Sequence, residues 1–158
     1  MIPAWLTIAM VTVVVAIACN RTLNAEDYRW FNRLRRPPWL TFERAIPLIW
    51  TVIFMGAAAS ASVTWAANPG NLQGWVLMGL YLLLELVTMA YTPLMCKQRS
   101  LLVGTIVGAT GMAVSLFLAI AVYPVSLVAA GLLLPYILWS PIGTYTTWAM
   151  IRLNPADR

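Results

Sequence analysis

Residues 45–66 read AIPLIWTVIFMGAAASASVTWA, twenty-two positions without a single charge. A helix that crosses the hydrocarbon core of a bilayer needs about 20 such residues. A strand would have to find partners for its backbone inside lipid, whereas a helix satisfies its own N–H and C=O groups. Pro47 falls in the first turn, where a missing N–H costs little. The run Ala57, Ala58, Ala59, Ser60, Ala61, Ser62 makes one face small enough for a neighbouring helix to come close. Working outward, four more apolar blocks occupy residues 3–19, 72–96, 101–122 and 126–151, and each predicts a span. Asn68 to Asn71, Lys97 to Ser100 and Tyr123–Pro124 mark the tight turns. The one long connection is 20–44. Its Pro37 and Pro38 forbid a continuous helix, so a short interfacial helix ending near Arg36 is expected. In the last block Pro135 and Pro141 are expected kink sites.

The composition agrees with lipid as the solvent. The chain of 158 residues is 61% hydrophobic and 9% charged, whereas a soluble domain is about 25% charged. A soluble fold would lack the polar shell to cover such a core. One membrane domain, 1–158, is the expected organisation. The first block has no Lys or Arg before Arg21, so it reads as a retained helix rather than a cleaved signal.

The charges give an orientation. Loop 20–44 holds six basic residues, the turn after residue 96 holds Lys97 and Arg99, and the tail holds Arg152 and Arg158. Six plus two plus two account for all ten. The positive-inside rule puts these three regions in the cytoplasm and the N-terminus outside. That separation requires an odd number of spans, and five fits. The net charge of +5 is thus a topology signal, and nucleic acid is not an expected partner. Membrane lipid is.

Catalytic chemistry is poorly supplied. Histidine is absent, which removes the commonest zinc, haem and acid–base side chain. Two cysteines, Cys19 and Cys96, define neither a disulfide scaffold nor a metal site. No nucleophile has a base partner at a recognisable spacing, and neither a selectivity filter nor a ring of charge marks a channel. Glu85 is the one acidic residue inside any predicted span. A charge at that depth costs about 2.5–3.5 kcal/mol on insertion scales, so Glu85 is expected to face the bundle interior as a candidate functional acid. The aromatic supply, by contrast, is generous. Trp50, Phe54, Tyr81, Tyr91, Tyr136, Trp139, Tyr145 and Trp148 offer flat faces that suit a flat, mostly apolar ligand, with belts and interhelical packing as the alternative use.

Loop one carries Trp30, Phe31, Leu34, Arg36, Pro37 and Trp39, followed by Trp50 and Trp65. The block 72–96 ends Tyr91-Thr92-Pro93-Leu94, and the last block reads Pro135-Tyr136-Ile137-Leu138-Trp139 before closing on Arg152-Leu153-Asn154. In this order the motifs resemble the translocator protein family (TspO/MBR, the peripheral benzodiazepine receptor family) along essentially the whole chain. The resemblance implies an all-α integral membrane protein, a five-transmembrane-helix bundle that binds tetrapyrroles such as protoporphyrin, or sterol-like ligands. It implies no required cofactor. It further implies a homodimer acting as transporter, receptor or stress sensor, with a structural or assembly subunit, or a porphyrin-modifying enzyme, as alternatives. Carried over residue by residue, it makes Trp39, Trp50, Phe54, Thr88, Tyr91, Pro135, Tyr136, Trp139 and Thr147 the ligand-binding set. Trp30 and Trp39 become the gate. The chain departs from the family where Thr41 and Phe42 replace two prolines, and where Thr88 and Thr147 stand for asparagines. A threonine keeps a hydroxyl but loses the amide's paired donor and acceptor.

Overall fold

The computed structural model describes residues 3–158. Helix α1 covers Ala4–Asn20, α2 Ala25–Arg33, α3 Ile46–Ala67, α4 Leu72–Gln98, α5 Leu101–Val122, α6 Leu127–Leu132 and α7 Leu134–Leu153. Short 3-10 turns occupy Glu43–Ala45 and Pro155–Asp157. The architecture is an all-α bundle with four long apolar layers, α3, α4, α5, and α6 with α7 as one interrupted span, and a fifth formed by the shorter α1, which reaches spanning length together with α2 across an 85° bend. It is a multi-pass membrane protein. The shortest layer, α1, has 17 residues, about 26 Å of helix at 1.5 Å per residue. None of its described residues is buried, and it leans on α3 and α4 from outside.

Local sequence sets the ends. Asn71, Ser100 and Ser126 accept from the backbone N–H groups of Gly74, Val103 and Ala129 and so cap α4, α5 and α6. Helix α4 runs two residues past the expected end at Cys96 and stops at Arg99, whose φ of 48° is left-handed. The N–H groups of Arg99 and Ser100 then turn back onto the carbonyls of Cys96 and Met95. The sequence predicts one helix over 126–151, but the chain breaks at Leu133. Pro135 has no N–H to donate, and its ring would collide with the carbonyl four residues back, so a continuous helix is forbidden there. Pro135 instead occupies the first turn of α7, and only Pro141 lies inside a helix of this span. The interfacial helix also ends earlier than expected, at Arg33.

Two cores hold the bundle. The larger gathers Ile53, Leu77, Tyr81, Leu84, Leu118 and Leu133 between α3, α4, α5 and the α6–α7 break. The smaller, at the basic end, gathers Trp30, Leu34, Met95, Cys96, Leu101 and Met150. On α5, a Cβ at Gly104, Gly108 or Gly111 would lie 2.6–2.7 Å from Met95, Thr144 or Tyr136. This is the glycine face along which α5 meets α4 and α7.

Loop one is tied down at its first half. Asn24 caps α2 in a capping box with Asp27. Asp27 is 4% exposed and pairs with Lys97 at 2.7 Å. Its pKa is lowered chiefly by the Lys97 hydrogen bond, then by the Asn24 N–H. From the other side, Asp157 accepts from Trp30 Nε1 at 2.7 Å and from Arg33 at 3.0 Å. The Asn154 side chain accepts from the Arg35 N–H at 2.9 Å and donates to the Arg35 carbonyl at 3.0 Å. The three basic regions of the sequence therefore meet at one end of the bundle.

Candidate functional site

Beneath this collar lies a cavity of about 340 Å³, within the roughly 300–1,000 Å³ range of small-molecule sites. Loop one roofs it with Phe31, Arg36, Leu40 and Glu43. Trp50 and Phe54 of α3, Thr88 and Tyr91 of α4, and Tyr136, Trp139 and Thr147 of α7 form its walls. The aromatic faces are braced. Trp50 stacks on Phe54 with centroids 5.7 Å apart, and meets the edge of Tyr136 at 6.3 Å. Phe42 packs edge-on against Trp139 at 6.3 Å.

Hydroxyl pairs set the spacing of the walls. Thr88 Oγ1 donates to the Leu84 carbonyl at 2.7 Å, which uses its one hydrogen, so Tyr136 OH donates to Thr88 at 2.7 Å. By the same count Thr147 Oγ1 donates to the Gly143 carbonyl and receives Tyr91 OH. Each pair ties α4 to α7. A third, outside the cavity, ties α4 to α3: Tyr81 OH meets both Ser60 and Thr64. Thr88 and Thr147, the two departures from asparagine, thus serve as acceptors for tyrosines that line the cavity.

Of the nine ligand-binding residues expected from sequence, seven line this cavity. Pro135 does not: it packs toward Gly56 of α3. Trp39 does not either. It is 42% exposed and its ring stacks on Tyr145 of α7 at 5.8 Å, outside the lining. The other expected gate residue, Trp30, lies outside the cavity lining. It is 1% exposed, sits in the smaller core and is held by Asp157. Glu85 is half-buried in a separate cavity of about 50 Å³ beside Thr12 of α1, with Oε1 lacking a partner among the described residues. Phe54, Thr88 and Tyr136 border both spaces.

Sequence reasoning missed Arg36, Glu43, Ser140, Gly143 and Thr144, all of which line the main cavity. The α7 residues were findable: 136, 139, 140, 143, 144 and 147 follow the spacing of a single helical face. Arg36 enters the sequence reading only through the loop's charge count, the expected helix end and the family motif.

The match to a family model decides the kinship. The TspO/MBR family model covers residues 4–153. The chain belongs to that family. Its relatives include the tryptophan-rich protein TspO of Bacillus cereus, 28% identical over 128 residues, covering 81% of this chain and 82% of the relative. The membrane protein YtaB of Bacillus subtilis is 29% identical over 130 residues, with the same coverage. The human translocator protein is 24% identical over 161 residues, 98% of this chain and 94% of the relative. Family membership accords with the five-layer bundle and with the long first loop that here roofs the cavity.

Proposed function

We propose that this chain binds a flat, mostly apolar ligand of the tetrapyrrole class, protoporphyrin-like, in the cavity under loop one, and serves as a transporter, receptor or stress sensor. The observation that carries this reading is the cavity itself. Its walls are aromatic faces, its polar atoms are mainly hydroxyls, and its roof is a loop. Stacking on Trp50, Phe54, Tyr136 and Trp139 supplies area for a planar ring system. With no histidine in the chain, iron lacks its commonest protein axial ligand, so a metal-free porphyrin suits the site better than haem. We read the site as one of binding rather than turnover, with residues 1–158 acting as one membrane unit and two copies forming a homodimer. Trp39 acts as the gate from outside, because its stack on Tyr145 holds the segment after Pro38 against α7.

Titration of the purified protein with protoporphyrin, followed by tryptophan quenching, tests the reading. Saturable quenching beyond detergent controls is the expected result, and Trp39→Ala should accelerate ligand release without impairing insertion. A flat titration would instead favour a structural or assembly subunit.

A further inference from the structure

Arg36 and Glu43 are the charged residues among those lining the main cavity. Arg36 leaves loop one at the Pro37–Pro38 bend and turns back. Its Nη1 donates to the carbonyls of Phe31 at 2.8 Å and Leu34 at 2.6 Å. The guanidinium lies over the Phe31 ring, 4.7 Å from its centroid. Its position is therefore fixed by backbone and ring contacts that do not involve Glu43. Its Nε donates to Glu43 Oε1 at 3.1 Å, and Nη2 meets no acceptor among the described residues. The Arg36 side chain is 18% exposed while that of Glu43 is 48% exposed. So the cation is held and largely shielded, and its carboxylate partner is the loose member.

A guanidinium presents Nε and Nη2 as one edge that matches both oxygens of a carboxylate. Glu43 uses only the Nε half of that edge. We propose that the Nε–Nη2 edge of Arg36 is a subsite for a carboxylate carried by the ligand, and that Glu43 is its internal stand-in, displaced when the ligand enters. This rests on the reading of the cavity as a tetrapyrrole site and adds a polarity to it. The apolar plate lies between the aromatic walls, and its acidic edge points toward the roof of loop one. An exposed ion pair is worth little by itself, so releasing Glu43 to water costs little. A ligand carboxylate that engages both N–H groups in the shielded mouth gains more.

The test uses the full-length protein in non-ionic detergent, which removes lipid phosphate as a source of the anion. Protoporphyrin, with two ionised propionates, is compared with its neutral dimethyl ester. The quantity read is the ratio of their affinities, which cancels any general loosening of the loop. The wild type should prefer the acid, and Arg36→Gln should lower that preference about tenfold, the usual size of a charge-assisted hydrogen bond. Glu43→Gln should raise it several-fold, because the competitor is gone. Opposite signs are the signature, since a pair that merely holds the loop closed would shift the ratio in neither variant. Should Arg36→Gln fail to fold, Glu43→Gln decides alone. Equal binding of acid and ester in the wild type, or a ratio that Glu43→Gln leaves unchanged or lowers, overturns the carboxylate subsite while leaving the cavity reading intact. Binding of neither overturns both.

Discussion

Asp27 is a carboxylate enclosed between the start of α2 and the end of α4, with Lys97 at 2.7 Å. The ammonium and the Asn24 N–H both favour the anion, so its pKa is held below the ordinary value. The sign of the pH dependence follows. Above the unfolded carboxylate value of about 4 the paired anion contributes its full stabilisation, and below that the contribution fades as pH falls through the lowered folded value. Asp27→Asn should therefore flatten the acid limb of thermal stability, measured in detergent between about pH 3 and about 7. A slope identical to wild type would show that the pair is idle. At this scale the sequence was partly legible. The aromatic set was visible because Trp and Tyr have few uses inside lipid apart from packing, belts and ligands. The anchorage of Trp30 was not legible because its partner, Asp157, lies 127 positions away, and no local spacing announces such a bond. Arg36 was hidden for a related reason: among six arginines in one loop, nothing in the sequence says which one folds back on its own carbonyls.

Among the elements, the broken span α6–α7 carries the clearest packing constraint. The Leu132 carbonyl, freed by the break, lies where α3 passes, and a Cβ on Gly56 would stand 2.7 Å from that oxygen. A backbone oxygen cannot rotate away as a flexible side chain can. Gly56→Ala should cost about 1–3 kcal/mol, the usual range for overpacking. Gly79→Ala on α4 meets nothing within 4 Å and should be near neutral. The comparison of the two unfolding midpoints checks this, and equal midpoints would mean that α3 and the break yield freely. The spans themselves were legible because hydropathy and helix length are local properties. The break was legible only as a proline, since the choice between a kink and a stop depends on whether a neighbour can accept the freed carbonyl. Here the small face of α3 can approach it.

For the whole molecule, loop one, the α4–α5 turn and the tail meet at one end, and these are the three regions that carry the basic residues. The positive-inside rule predicts that side to be cytoplasmic. Reporter fusions at residue 1 and residue 158 should therefore report outside and cytoplasm respectively, and two ends on the same side would remove the five-span arrangement. Charge separation was readable from the sequence because it needs only a count by segment. The cavity was not, because its volume depends on two tyrosine–threonine pairs that set the distance between α4 and α7. The bond from Trp30 to Asp157 also has a consequence in time. The ribosome makes Trp30 well before Asp157, so this fastening of the roof waits until the segment around Asp157 has left the exit tunnel. A nascent chain stalled before Asn154 would hold every span and the Asp27–Lys97 pair, and still lack the bonds that join Trp30, Arg33 and Arg35 to the tail.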